Sequence, residues 1–113
     1  MTIDEIIQDD MTIVALAGRL DAMTAPEFEQ RLLSRIALAP VNLVLNLSEL
    51  DYISSAGLRV VLMVAKKIHA SQGQFILCGM NDQVRTIFDI SGFLNILRVV
   101  EKCEDHLSSK GPA

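Results

Sequence analysis

The feature that most constrains this chain is the run "VNLVLNL", Val41 to Leu47. It is apolar at almost every position, and neither the helical period nor strict alternation organises it. A short run of this kind suits a strand covered on both faces, which means a central strand of a sheet with material on each side. Similar but shorter runs follow at "QFILCG", Gln74 to Gly79, and at "NILRVV", Asn95 to Val100. The stretches between them have helical periodicity. Phe28, Leu32 and Ile36 recur every four residues, and Leu58, Val61, Leu62, Ala65 and Ile68 form a stripe over Ser55 to Ser71. Val84, Ile87 and Phe88 do the same in a third segment.

Punctuation fixes the boundaries. Thr24 followed by Glu27 has the spacing of a capping box, with Pro26 in the first turn and Pro40 as the stop. Gly73 closes the second helix. Asn81 is an N-cap for the third, Gly92 its left-handed C-cap, and Phe93 is placed to fold back on Phe88. At the N-terminus, "TIDEIIQDDMTIVALAGRL" reads as two strands around Gln8-Asp9-Asp10, with a bulge or bend at Gly18. Ser48 to Tyr52 reads as a loop, Glu101 to Leu107 as a short last helix, and "SSKGPA" as a frayed tail. The order ββαβαβαβ(α) predicts an α/β fold: a small mixed sheet, mostly parallel with an antiparallel N-terminal strand, packed with about four helices.

Composition removes several functions. A chain of 113 residues that is half apolar builds one domain with a real core. No apolar run approaches the roughly 20 residues of a membrane span, and the acidic start MTIDEIIQDD lacks the basic region of a signal peptide. The net charge of −4 argues against nucleic acid as a partner. Cys78 and Cys103 make no disulfide framework, and Cys78, inside an apolar run, reads as a small hydrophobe. His69 and His106 lie far apart without a ligand pair nearby. These features predict a reduced, cytoplasmic protein with no metal, no cofactor and no membrane insertion.

The chemistry gathers at "LDYISSAGLRVV", Leu50 to Val61. Two serines stand where a strand ends and a helix begins, beside unpaired N–H groups and the positive end of the helix dipole. One serine can cap the helix, which is worth about 1 kcal/mol. The other can carry a phosphate, a dianion that a helix N-terminus tolerates, with Arg59 one turn on from Ser55. Ala56 and Gly57 make the first turn small enough for another protein to approach. Val60, Met63 and Val64 fall outside the helix's apolar stripe and suggest a partner-binding face. Intrinsic catalysis has little to work with. His69 is about 20 Å down the helix from Ser55, and "SSAGL" is not a nucleophile elbow.

These residues carry a resemblance. "LDYISSAGLRVV", "GQFILCGMNDQVRTIFDISGF" and the early "GRLDAMTAPEFE" resemble, over nearly the whole chain, the bacterial anti-sigma factor antagonists of the STAS domain family. The resemblance implies a STAS domain over 1–107 with a flexible tail over 108–113. It implies partner switching: the unphosphorylated protein binds an anti-sigma factor that is also a GHKL-type serine kinase, and thereby frees that factor's target. Phosphorylation breaks the complex, and a PP2C-like, metal-dependent phosphatase restores binding. Aligning Gly57 and Leu58 with the family pattern Asp-Ser-Ser/Thr-Gly-Leu puts the phosphosite at Ser55. Here Ser54 replaces the acidic residue and Ala56 the second hydroxyl, which makes Ser54 the rival position. Asp21 matches a family position expected near the switch, or else it caps the first helix. The implied partner face comprises Asp21, Ser54, Ser55, Ala56, Gly57, Arg59, Val60 and Met63. The alternative within the same fold is an accessory subunit of a lipid-exporting ABC transporter.

Overall fold

The computed structural model describes residues 1–8, 10–37, 42–92 and 97–103. Among them, five strands form one sheet in the order β1-β2-β3-β4-β5: β1 (Thr2–Gln8), β2 (Met11–Leu20), β3 (Asn42–Ile53), β4 (Gln74–Cys78) and β5 (Arg98–Val100). β1 runs antiparallel to β2 and every other pair is parallel. Three helices supply the crossovers, α1 (Ala25–Ile36), α2 (Ser55–Ala70) and α3 (Asp82–Ile90). Each crossover moves one strand along in the same direction. Right-handed connections therefore place all three helices on one face of the sheet.

The pleat of β3 divides the core. Leu43, Leu45 and Leu47 face the helices, and join Val14, Leu16, Phe28, Leu32, Val61, Ile68, Val84 and Phe88 in the main cluster. Val44, one residue out of phase, faces the other way and packs with Met11, Ile76 and Cys78. The helix-side face of the run is buried throughout, but on the opposite face only Val44 is buried while Asn42 and Asn46 are half-buried, so the expected cover on both faces is met there at one position. Each buried apolar side chain is worth about 1.5–3 kcal/mol of transfer free energy. α1 is also tied to the edge strand β1: Arg35 and Arg31 reach Glu5 at 2.8 and 3.1 Å. The Arg35 hydrogen bond, opposed by partial burial and helped by the Arg charges, holds the Glu5 carboxyl below its ordinary pKa.

Several expectations need correction. Helices number three among the described residues. Glu101 to Cys103 form a bend and turn, and the rest of the expected last helix and the tail lie outside the described residues, as does Phe93. Ser48 to Tyr52 is not a loop, because β3 continues through it to Ile53. Among the described residues this extension pairs only with β2, through register shifts at Ala15/Ala17 and Gly18/Arg19. Gly18, at φ 104°, occupies the second of these irregularities, as its sequence context suggested. One-sided pairing leaves polar residues such as Ser48, Glu49 and Asp51 exposed, so the segment lacks the apolar signature of its first half.

The capping box at Thr24 does not form. The Thr24 hydroxyl donates to the Arg19 carbonyl at 2.8 Å and accepts from the Asp21 N–H at 2.9 Å. Asp21 serves this end of α1 instead, its Oδ1 accepting from the Met23 and Thr24 N–H groups. At the end of α2 the left-handed residue is Gln72, φ 66°, and the Gly73 N–H returns to the Ile68 carbonyl.

The largest correction concerns the cysteines. Cys78 and Cys103 are joined in a disulfide, with Cα atoms 4.9 Å apart and a sequence separation of 25. Cys78 ends β4 and Cys103 lies in the turn after β5, its parallel neighbour. The sheet brings together two residues that sequence spacing gave no reason to pair.

Candidate functional site

Two strand-to-helix junctions sit side by side at one end of the sheet. β2 ends at Leu20 and β3 ends at Ile53, and these two residues are register partners. The Ser54 N–H donates to the Leu20 carbonyl at 2.9 Å, which sets the Asp21 turn directly beside the two serines. Asp21 and the serines therefore share this end of the sheet, as expected for the former.

The serines divide the two roles. Ser54 is the N-cap of α2, in extended conformation with φ −94° and ψ 174°, and its Oγ accepts from the Gly57 N–H at 3.3 Å. Ser55 is the first helical residue and is exposed. Its hydroxyl makes no hydrogen bond among the described residues. Arg59 is exposed one turn further along the same side of α2. A phosphate on Ser55 would thus stand in water at the positive end of a 16-residue helix that has no acidic residue in its first turn.

Asp21 and Arg19 add charge beside this point. Arg19 lies over the Tyr52 ring, 4.3 Å from its centroid, and 3.8 Å from the Asp21 carboxylate. Partial burial pushes the Asp21 carboxyl up. The N–H groups of Met23 and Thr24, the Thr24 hydroxyl and Arg19 together outweigh it, and the net pKa is lowered. Asp21 is therefore a fixed negative charge at neutral pH.

Two members of the expected partner face belong to the core instead. Val60 is only 6% exposed and Val64 fully buried. The buried side of α2 follows Gly57, Val60, Val61, Val64 and Ile68, with Leu58 beside them. Leu62 and Ala65, expected in the stripe, are only half-buried. The apolar residues of α2 allow more than one helical phase, and packing against β3, β4 and α1 selects this one. Gly57 is not an open approach either. A Cβ there would stand 2.8 Å from Leu20 and 2.9 Å from Ile53, so glycine is required by the close packing of the two junctions. Ala56 and Met63 are half-buried and remain near the surface.

Other residues of the surface carried no sequence signal. A shallow groove of about 340 Å3 runs beside Ser55, lined by Tyr52, Ile53, Leu58, Ile87, Ile90 and Ser91 as well as both serines. Ile90, on α3, is 81% exposed, and Met23, in the Asp21 turn, 88%. The serines thus have a large exposed apolar side chain on each side. Ile90 follows an apolar helix pattern and Met23 sits in a turn, so neither stands out before the elements are assembled. Among the described residues no three His, Cys, Asp or Glu side chains converge to hold a metal ion, and no helix is long and apolar enough to cross a membrane.

Comparison with known proteins shows the family. A family model described as the STAS domain matches residues 2–108. BtrV of Bordetella bronchiseptica, provisionally named an anti-sigma factor antagonist, is 43% identical over 104 residues, which cover 92% of this chain and 88% of BtrV. The anti-sigma-B factor antagonist of Staphylococcus epidermidis is 27% identical over 104 residues, covering 92% of this chain and 96% of its own. In fold, the chain is similar to a crystal structure from Thermotoga maritima with a TM-score of 0.90 at 21% identity, covering 95% of this chain and 92% of that one. The chain belongs to the STAS domain family, among its anti-sigma factor antagonists.

Proposed function

We propose that this protein is the phosphorylatable partner in a switching pathway, and that Ser55 is the residue phosphorylated. In the unphosphorylated state it binds an anti-sigma factor that is also a GHKL-type serine kinase, and so releases that factor's target. The observation that carries this reading is the division between the serines. Ser54 Oγ is engaged as a cap, whereas Ser55 is exposed and its hydroxyl makes no hydrogen bond among the described residues. A kinase can take the second without unravelling the helix start. The names of the relatives support the antagonist role.

The contact surface in this reading runs from Asp21 and Met23 across Ser55, Ala56 and Arg59 to Met63, and along the groove to Ile90. Val60 and Gly57 act from beneath it. Apolar flanks supply binding energy and the serine supplies control. Phosphorylation adds close to two negative charges where the partner must exclude water, within the same surface as the Asp21 carboxylate. Repulsion and desolvation suffice to break the complex without a change of fold. A PP2C-like phosphatase removes the phosphate. The protein works in the cytoplasm by being bound and modified, not as an enzyme. The names of the relatives lend no support to the transporter-subunit alternative.

The test is binding to the anti-sigma kinase by calorimetry. Wild-type protein should bind, and Ser55→Asp should weaken binding by about 100-fold or more, roughly 2.7 kcal/mol. Equal affinity of the two would overturn the assignment.

A further inference from the structure

We infer that the Cys78–Cys103 pair is a reversible redox modification site, whose disulfide holds the α3 wall of the Ser55 groove in place. The cysteines bracket α3. Three residues lead from Cys78 to the start of α3, and the chain returns through β5 to Cys103. β5 is an edge strand of only three residues, paired on one side to β4. A strand this short is marginal unless something else fastens it. The disulfide and the Gly79 N–H bond to the Glu101 carbonyl at 3.1 Å fasten it beyond the packing of Val99 and Val100 on the two core clusters. The N-terminal end of α3 is anchored independently: the Asn81 side chain caps the helix and donates to the Leu50 carbonyl at 3.0 Å. The C-terminal end, with Ile87, Ile90 and Ser91, is the part that lines the groove. It is also the end from which the chain leads on to β5.

The two sulfurs differ in access. Cys78 is fully buried, and Cys103 is half-buried. A cellular dithiol can therefore attack Cys103 Sγ as its thiolate. A mixed disulfide forms there and Cys78 leaves as a thiolate, which takes a proton. The second thiol of the reductant then releases Cys103, so that two electrons and two protons pass to the protein and the reductant becomes a disulfide. Oxidation by a disulfide of the glutathione class reverses the sequence. In a cytoplasmic protein such a pair is of the transient, sensing kind. The effect on partner binding rests on the partner-switching reading above, while the redox step itself does not.

The experiment is hydrogen exchange of the full chain in glutathione buffers from fully oxidised to fully reduced, with the thiols counted by alkylation and mass spectrometry. The expected result is joint appearance of two thiols on reduction. Amides of residues 87–92 and 98–100 should then exchange at least tenfold faster, with those of β2 and α1 changing less than about threefold. Cys103→Ser should show the reduced pattern in every buffer. If that variant does not fold, the wild-type titration alone decides. A pair that never forms, that resists an excess of dithiothreitol in the folded protein, or whose reduction leaves 87–92 and 98–100 unchanged would each overturn the inference. Affinity for the anti-sigma kinase, measured in the same buffers, should fall about threefold or more on reduction. Absence of binding in both states would count against the partner-switching reading and leave the exchange result to judge the redox site.

Discussion

The junction between β2 and α1 and the junction between β3 and α2 are neighbours with similar ingredients and different outcomes. At the first, Asp21 and Thr24 are both consumed by the local backbone: the carboxylate takes two N–H groups and the hydroxyl bridges Arg19 and Asp21. At the second, one serine does the capping and the next is left over. A helix start needs one good cap. A second hydroxyl beside it is free to be chemistry, and it faces solvent between Met23 and Ile90. The difference teaches that the functional group is the one the fold does not need.

The sharpest way to break that comparison is to charge the spare position. Ser55→Asp should abolish partner binding, by about 100-fold or more, and yet leave the free energy of unfolding within ~0.5 kcal/mol of wild type. Binding calorimetry and urea denaturation on the same samples check both halves. Next in size is the packing between the junctions. Gly57→Ala drives a Cβ into Leu20 and Ile53, both fully buried. Overpacking costs about 1–3 kcal/mol, against the ~1 kcal/mol that alanine gains in a helix, so a net loss of up to about 2 kcal/mol is expected in urea melts.

The consumed groups come third. Ser54→Ala should cost about 1 kcal/mol of stability, and Thr24→Val a similar amount, whereas Ser55→Ala should stay within ~0.5 kcal/mol. Equal losses at Ser54 and Ser55 would erase the division of labour. The smallest effect is far from both junctions, at Glu5. Its folded pKa is lowered, so its contribution is present above the unfolded value near pH 4 and disappears as pH falls through the folded value. Glu5→Gln should therefore lower Tm at pH 7, and the difference from wild type should vanish as pH falls through the folded value.

Much of this was legible beforehand. The buried run from Leu43 to Leu47, the Asn81 cap and the Ser54-Ser55 pair depend on local chemistry that a sequence displays directly. What was not legible depends on assembly. The stripe of α2 was misphased because Leu62 and Ala65 are as apolar as Val60 and Val64, and only tertiary packing chooses between them. Thr24 has the right spacing for a capping box, but its hydroxyl is taken up by the Arg19 carbonyl and the Asp21 N–H, and its own N–H by the Asp21 carboxylate. The Cys78–Cys103 pairing arises because β4 and β5 are neighbours, a fact of topology. Ile90 and Met23 become a site only when α3 and the Asp21 turn meet at the same end of the sheet.

The central claim is that Ser55, and not Ser54, is the group that changes state. The direct measurement is phosphosite mapping by mass spectrometry on the protein isolated from its native cells, alongside in vitro phosphorylation of Ser54→Ala and Ser55→Ala. One phosphate on Ser55, retained in Ser54→Ala and lost in Ser55→Ala, is the predicted result. A phosphate on Ser54, or none under any growth condition, would contradict it.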